Sequence, residues 1–489
     1  MYHRKSKRTE HIRQVAIYVL MASMIFVIVT LFTLFMLGFR FDADKGKVEQ
    51  YSFLQFSSTP SGATVLIDGS LINSKTPNKS TVSPGKHEVT MWRDGYEKWH
   101  KAVDLKAGTL TWLNYTLLVP TKLTLQPVAG YDSLYKSLAS PNGDFMLVQK
   151  QSNTPSFELV DLSSDTIKSV SLTIPSPAYS EQNAIGIGHT FGIEKWDSGS
   201  RFVLVSHKYG EKLEWLVLDT QNVTSTKNIT RTFDLPISNI AFSGTSGNIF
   251  YCISSGDIRK LDLGAGTISK SLVSSVDYFT MYEKSKVITY VGKGKVGTAE
   301  RVAGIYRDGD DGPAVIRTVK SAADVPLNIS TTRYFNENFI AISEGKKIDI
   351  LSGSYPNTTS DNANNMKLFA SFNINESVNE LSFSPSGEFV FAQVGPYFAS
   401  YDLEYQKLVS SSVDGVGAVT SLKWLDENHV WSDRDGNLTI REYDGADVHT
   451  INSSIIGQDA TLTNNGRYIY SIGKSKTGYQ LQRVRMILP

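Results

Sequence analysis

The sequence predicts an all-β protein carried on a single N-terminal transmembrane helix. Three observations lead there. An uncharged, apolar run extends from Val15 to Phe39. Strand-like runs separated by turn dipeptides fill residues 51–120. A weak repeat of about 45 residues fills 121–489, each unit an apolar strand, a polar turn with Gly and further strands.

The first element is the helix. The 25 positions from Val15 to Phe39 span about 37 Å as a helix, against about 30 Å of hydrocarbon. Fifteen of them are Val, Ile, Leu or Phe, so insertion is favoured by several kcal/mol. A cleaved signal peptide would have a shorter apolar run, followed by small residues. Here the run ends in Met36-Leu37-Gly38-Phe39-Arg40-Phe41, with no Ala-x-Ala pattern, and reads as a retained anchor. Arg4, Lys5, Lys7, Arg8 and Arg13 precede the helix against a single Glu10, which keeps residues 1–14 cytoplasmic. Arg40, Lys45 and Lys47 follow it, but they open a long domain whose charges count for less. The expected location is therefore the cell membrane, single-pass, with membrane lipid around residues 15–39, a linker over 40–50 and the bulk extracytoplasmic.

The net charge of the whole chain is +1. With the basic tail removed, the body is close to neutral, which excludes a nucleic-acid-binding face. The one cysteine, Cys252, has no disulfide partner in the chain and reads as a small buried hydrophobe in Ile249-Phe250-Tyr251-Cys252-Ile253.

Residues 51–120 read as a small antiparallel β-sandwich. Asp68-Gly69 after Val65-Leu66-Ile67 suits a two-residue hairpin loop, because both positions tolerate positive φ. Ser83-Pro84-Gly85-Lys86 suits a type II turn. Asp94-Gly95 after Val89-Thr90-Met91-Trp92 is a further hairpin signal. Trp99, Lys101, Val103 and Leu105 share one side of the next strand, and Thr109 to Leu118 closes the sandwich. Trp92, Trp99 and Trp112 read as core and edge cover rather than as a sugar-stacking platform.

Several of these residues carry a resemblance. Pro60-Ser61-Gly62-Ala63, Asp68-Gly69, Thr76-Pro77, Pro84-Gly85-Lys86, Gly95-Tyr96 and Trp99 resemble a PEGA domain, a family named for its Pro-Glu-Gly-Ala signature. Gly38-Phe39-Arg40-Phe41 before it and Leu118-Val119-Pro120 after it are similar to bacterial membrane proteins that join an anchor, a PEGA domain and a β-rich region. Ser61 departs from the family's acidic residue, and Ser74-Lys75 stand where a Gly is common. The resemblance implies a β-sandwich on a bacterial surface and no reaction. It makes Pro60, Gly62, Ala63, Asp68, Gly69, Pro77, Gly85, Gly95, Tyr96 and Trp99 structural motif residues.

The repeat in 121–489 is set by turn-strand steps. Ser140-Pro141-Asn142-Gly143, Trp196-Asp197-Ser198-Gly199, Ser384-Pro385-Ser386-Gly387 and Asn464-Asn465-Gly466 each lead into an apolar strand. The next strand then leaves through Asp161, Asp219 or Asp402 in the first three. Related units lie near Ile240–Asp262, Tyr278–Tyr306, Tyr334–Leu351 and Leu422–Asp444. Units of about 40–50 residues match four-stranded blades, so a β-propeller is expected. Eight blades are expected, with 121–128 completing the last; seven is the alternative. The Ser-Pro-x-Gly step is similar to the blade turns of WD-repeat and TolB-like propellers, but the Trp-Asp ending of WD repeats is missing.

No catalytic, cofactor or metal residues are predicted. His3, His11, His87, His100, His189, His207, His429 and His449 show no metal-ligand spacing, and no Gly-x-Ser-x-Gly elbow occurs. Asp308-Gly309-Asp310-Asp311-Gly312 begins like a calcium loop, but its twelfth position is Val319 rather than Glu, so it reads as a solvated turn. Asp433-Arg434-Asp435-Gly436-Asn437 reads as another turn. Asn-x-Ser/Thr at Asn78, Asn114, Asn222, Asn228, Asn328, Asn357, Asn375, Asn437 and Asn452 is ascribed to chance in an Asn/Ser/Thr-rich chain. The sequence thus points to a non-enzymatic surface protein that binds or scaffolds cell-wall glycan or envelope protein. The alternatives are a propeller-type hydrolase or lyase acting on envelope polysaccharide, and a purely structural spacer.

Overall fold

The computed structural model describes residues 7–42, 46–180, 188–294, 298–320, 325–356, 365–415 and 422–489. His3, Arg4 and Lys5 of the basic tail, Lys45 and the Asn357 sequon lie outside them. The chain divides into two units, Met1–Lys122 with Ile487–Pro489, and Leu123–Met486.

The first unit opens with a helix from Lys7 to Met36. Its stretch His11–Met36 is long and apolar enough to cross a membrane, and none of it is buried in protein. Hydroxyls inside the helix donate to their own backbone: Thr30 to Phe26 O and Thr33 to Val29 O, both at 2.8 Å. Between Phe26 and Met36 no polar side chain therefore needs an outside partner. Gly38 at φ +86° turns the chain after the helix. A side chain there would meet Tyr51 O at 3.0 Å and the Phe53 ring at 3.3 Å. Residues 40–50, expected as a linker, contain paired strands. Phe39–Asp42 and Lys47–Gln50 pair as an antiparallel hairpin.

The sandwich packs a three-stranded sheet, Asn78–Val82, Ser52–Thr59 and Leu110–Leu117, on a four-stranded one, Ser70–Leu71, Thr64–Ile67, Gly85–Trp92 and Trp99–Leu105. It is not wholly antiparallel: Leu110–Leu117 runs parallel to Ser52–Thr59. Five strands intervene between the two, so the chain has the length to return in the same direction. Leu54, Phe56, Val65, Val89, Met91 and Trp99 form the core, each at most 1% exposed. The C-terminal residues belong here rather than to the propeller. Leu488 packs on this core, and its N–H donates to the Tyr96 hydroxyl at 2.7 Å.

The second unit contains eight four-stranded antiparallel sheets among the described residues. In seven of them the strands follow chain order. In the eighth, Leu125–Tyr131 pairs with Tyr479–Arg485, which pairs with Tyr468–Lys474 and then Thr461–Leu462. The first strand of the unit thus closes the last sheet, leaving no long open edge in a β-propeller ring. The closing strand is Leu125–Tyr131, three residues longer at its end than the 121–128 segment expected and starting later.

One turn device recurs. A buried Ser140, Asp197, Ser384 or Thr463 accepts a hydrogen bond from the backbone N–H five residues on, at Phe145, Phe202, Phe389 or Tyr468. The backbone carbonyl of Ser140, Ser384 and Thr463 also accepts from the turn glycine, Gly143, Gly387 or Gly466. Exit aspartates cap the next hairpin: Asp161, Asp219, Asp262 and Asp402 each accept a backbone N–H two or three residues further on. Between blades, long polar side chains act as stitches. Gln149 donates to Phe191 O at 2.7 Å, Gln393 accepts from Leu422 N at 2.8 Å, and Gln482 donates to Ser453 O at 2.6 Å. Asp459 closes the ring by accepting from Ala139 N at 3.1 Å.

Candidate functional site

The motif residues of the sandwich build its turns. Asp68 (φ +49°) and Gly69 (φ +78°) form the expected two-residue hairpin with both φ positive. The Asp68 carboxylate accepts from Glu88 N at 2.9 Å and pairs with His87 Nδ1 at 2.6 Å. Those two bonds, the backbone one foremost, hold its pKa below the usual carboxylate range. His87 Nε2 contacts Ser83 O at 2.7 Å, so the Ser83–Lys86 segment is a bend tied by an imidazole rather than a hydrogen-bonded type II turn. Gly62 and Ala63 bond to Thr76, which precedes Pro77, and Ser58 links Thr76 to Pro60 O. The Thr76 hydroxyl accepts from Ala63 N at 2.9 Å and meets Ser58 Oγ at 2.7 Å, and its carbonyl accepts from Gly62 N at 2.8 Å. Gly85 (φ +126°) heads a strand, and Gly95 (φ +84°) accepts from Thr121 N. Tyr96 and Trp99 are buried, Trp99 edge-on to Tyr115. These residues shape the fold, and their reactive atoms are spent on it.

In the second unit, chemistry-bearing side chains gather in the second blade, His189–Trp196, Phe202–Tyr209, Lys212–Asp219 and Lys227–Asn228. The tight hairpin Tyr209–Lys212 sets His207 opposite Glu214, and the first strand sets Phe191 opposite His207. His207 Nδ1 lies 3.0 Å from Glu214 Oε2, and His207 Nε2 lies 2.9 Å from His189 Nδ1. Ser180 donates to Glu214 through its hydroxyl, at 2.5 Å, and its N–H, at 3.0 Å. Burial pushes the Glu214 pKa up, but the bonds from His207 and Ser180 outweigh it and hold it down at about 2. His207 is stacked between flat rings, Phe191 at 4.4 Å and Tyr209 at 5.2 Å, with Tyr179 edge-on at 5.2 Å. The result is a chain, Ser180–Glu214–His207–His189, buried at Glu214 and His207 and half-exposed at both ends.

Beside it lies a cavity of about 450 Å³, within the usual range for small ligands. Pro175, Pro177 and Ala178 form one wall; Thr224, Thr226, Lys227, Asn228, Arg231 and Thr232 form the other. The threonine hydroxyls donate inward, to Asn222 Oδ1, Val223 O and Asn228 O. Their oxygens remain able to accept. Arg231 spends one N–H on Pro177 O at 2.6 Å. Lys227 is exposed on the rim.

A second cluster lies in the sixth blade. Burial, with Asp402, Glu404 and Glu427 nearby, pushes Glu388 up to about 8. Burial likewise raises Asp402 to about 6, against hydrogen bonds from the N–H groups of Tyr405 and Glu404. Tyr334 donates to Glu404 at 2.6 Å.

The sequence showed no histidine beside a carboxylate at ligand spacing, yet in space four histidines meet one: His87 with Asp68, His207 with Glu214, His429 with Asp426 and His449 with Asp447. The Gly210-Glu211 hairpin was the readable signal for His207 and Glu214, since its register sets residues seven apart opposite each other. Among the described residues no three His, Cys, Asp or Glu side chains converge as a metal site. In the acidic loop, Asp308 is held by Lys260 at 2.8 Å and Asp310 by Arg307 at 2.9 Å. Asp433 O accepts from Gly436 N across its turn, and its carboxylate accepts from the distant Gly457 N. Asn228 of one sequon is buried. Cys252 is fully buried, and burial pushes its thiol up to about 12.

Residues 52–119 match the PEGA domain family. With the apolar helix before it and the ring of sheets after it, the chain is an all-β protein joining a PEGA domain to a β-propeller. Its fold is similar to the β-propeller domain of Myceliophteria thermophila Cps50 (Swd1), at 11% identity over 67% of this chain and 99% of that one, TM-score 0.39. It is also similar to the dihydro-heme d1 dehydrogenase NirN, at 10% identity over 66% and 67%, TM-score 0.40. An oligogalacturonate lyase in complex with manganese matches at 10% identity over 73% and 98%, TM-score 0.41. No curated protein matches the chain.

Proposed function

We propose that this is a membrane-anchored surface protein whose extracytoplasmic propeller binds an envelope ligand without chemical turnover. The observation that carries the reading is the second-blade cavity. Its charged donors are on Lys227 and Arg231, the buried Asn228 amide nitrogen is a further unpaired donor, and its threonine oxygens accept. That complement suits a ligand bearing both acid groups and hydroxyls, so the partner proposed is an acidic cell-wall glycan. The helix then serves as the tether, and the PEGA domain joins it to the propeller along the chain.

Titration calorimetry of the detergent-solubilised full chain with a polyol-phosphate polymer, a uronate oligomer and a neutral amino-sugar oligomer tests this. Binding of one acidic polymer, weakened tenfold or more in the Lys227→Met, Arg231→Met double variant, supports it; losing a charge-assisted contact is worth about that much. Equal heats for the variant and the parent overturn it. For the orientation, protease added to intact cells should degrade the bulk; a protected propeller refutes it.

A second reading, a hydrolase or lyase acting on envelope polysaccharide, draws on Glu388 and Asp402, carboxyl groups raised to about 8 and about 6. New reducing ends or unsaturated products released from purified wall, and lost in Glu388→Gln, would favour it over pure binding.

A further inference from the structure

The hairpin that replaces the expected linker is amphipathic. Phe41 and Val48 stand directly opposite each other in register, and both are exposed, 69% and 63%. By the period of two, Phe39 and Gln50 share their face, while Arg40, Lys47 and Glu49 fall on the other. A two-stranded hairpin is marginal by itself and needs its apolar face covered. Neither Phe41 nor Val48 belongs to the core of the sandwich.

The position of the hairpin identifies the cover. Gln50 Nε2 donates to Leu37 O at 3.0 Å, and Tyr51 N donates to Gly38 O at 2.9 Å, so the hairpin is fastened to the end of the apolar helix. Val48 is two residues from that tie, about 7 Å along a strand. Met36 and Leu37 at the helix end are exposed as well, 76% and 51%. The Arg40 guanidinium sits 4.0 Å from the centre of the Phe35 ring, the placement of a cation at a hydrocarbon boundary with its stem against apolar side chains. Apolar surface therefore continues from the helix onto one face of the hairpin, with charged residues of both signs, Arg40, Lys47 and Glu49, on the other.

We propose that the hairpin lies in the headgroup layer of the bilayer, with Phe41 and Val48 against the acyl boundary. The occupant of the exposed face is lipid, and the hairpin is a membrane rest that sets how close the PEGA domain starts to the surface. This rests on the helix being a membrane anchor.

The test uses the full chain in phosphatidylcholine vesicles, with Cys252 replaced by Ala and a single fluorescent label placed through Phe41→Cys, Val48→Cys or Glu49→Cys. Labels at 41 and 48 should be quenched at least twofold more by lipids brominated near the headgroup than by aqueous iodide, and the label at 49 should show the reverse. Two positions on the apolar face guard against one variant failing to fold. If the chain floats with alkali-washed vesicles but all three labels are equally open to iodide, the anchor stands and the membrane rest is overturned. If the chain does not float, the anchor fails and the rest falls with it.

Discussion

The sandwich and the propeller solve the same problem, closing β-sheets around a core, with different interiors. The buried polar residues of the sandwich are Ser52, Ser58, Thr76 and Thr116, all neutral. The propeller buries Asp197, His207, Glu214, Asp219, Asp349, Asp402, His429, Asp433, Arg441 and Glu442. A single small core can be closed with hydroxyls at its turns. A ring of blades must also cap its many hairpins and join sheet to sheet, and buried ionisable groups serve in both places, Asp219 and Asp402 at hairpins and Asp433 and Arg441 between blades. The sandwich should accordingly respond to packing defects, and the propeller to pH.

The largest expected effect breaks the sandwich alone. Trp99 is 1% exposed at the centre of a core drawn from about 70 residues, and Trp99→Ala should cost about 3–5 kcal/mol. A domain of that size has little stability in reserve. Calorimetry should then show the sandwich transition lost and the propeller transition retained. A simultaneous shift of both would mean that the two units do not unfold separately.

Next is the propeller's own weak point. Glu214→Ala leaves His207 buried beside an empty partner and Ser180 without its acceptor. Removing one member of a buried hydrogen-bonded pair costs about 2–4 kcal/mol. The urea midpoint of the propeller should fall while that of the sandwich stays in place. An unchanged midpoint would show that water satisfies His207 and that the network is not structural.

Titration sharpens the contrast. Glu388 ionises near 8 when folded and near its ordinary 4.5 when unfolded. Between those values the folded state binds the extra proton, so stability falls as pH rises from about 4.5 through about 8. Glu214 works in the opposite direction. Its folded value of about 2 lies below its ordinary 4.5, so its contribution is present above 4.5 and is lost as pH falls toward 2. The melting temperature of the propeller should be lower at pH 8 than at pH 6, and Glu388→Gln should remove most of that difference. A variant with the parent's pH profile would place the loss elsewhere.

Local chemistry explains what could be read from the chain. Asp68-Gly69 and the Ser-Pro-x-Gly steps were legible because a turn is decided within four residues. The final strand of the last blade was legible in outline, since a ring has to be closed by one end of the chain. The hairpin at Phe39–Gln50 was not, because its face alternates over only four residues. Nor was the parallel pairing of Leu110–Leu117 with Ser52–Thr59, which depends on sheet order rather than on sequence pattern. The second-blade site escaped for a related reason: Ser180, His207 and Glu214 come from two segments joined by register, and the cavity wall draws on segments about 50 residues apart in sequence, Pro175–Ala178 and Thr224–Thr232.

The smallest expected effect tests whether a charge in the sandwich matters as those in the propeller do. The Asp68 side chain is 51% exposed, so water and salt screen its bond to His87, and such pairs are worth about 0–1 kcal/mol. Its lowered pKa places any contribution above its ordinary value of 3.8, lost as the solution becomes more acidic. Asp68→Asn preserves the tolerance for positive φ at the hairpin and removes only the charge. The sandwich should therefore melt within about 4–8 °C of the parent at pH 7, with the gap narrowing in 1 M salt. A larger loss that persists in salt would mean that Asp68 acts as a fixed acceptor for Glu88 N rather than as a charge. The sandwich would then depend on a polar anchor in the same way as the blades do.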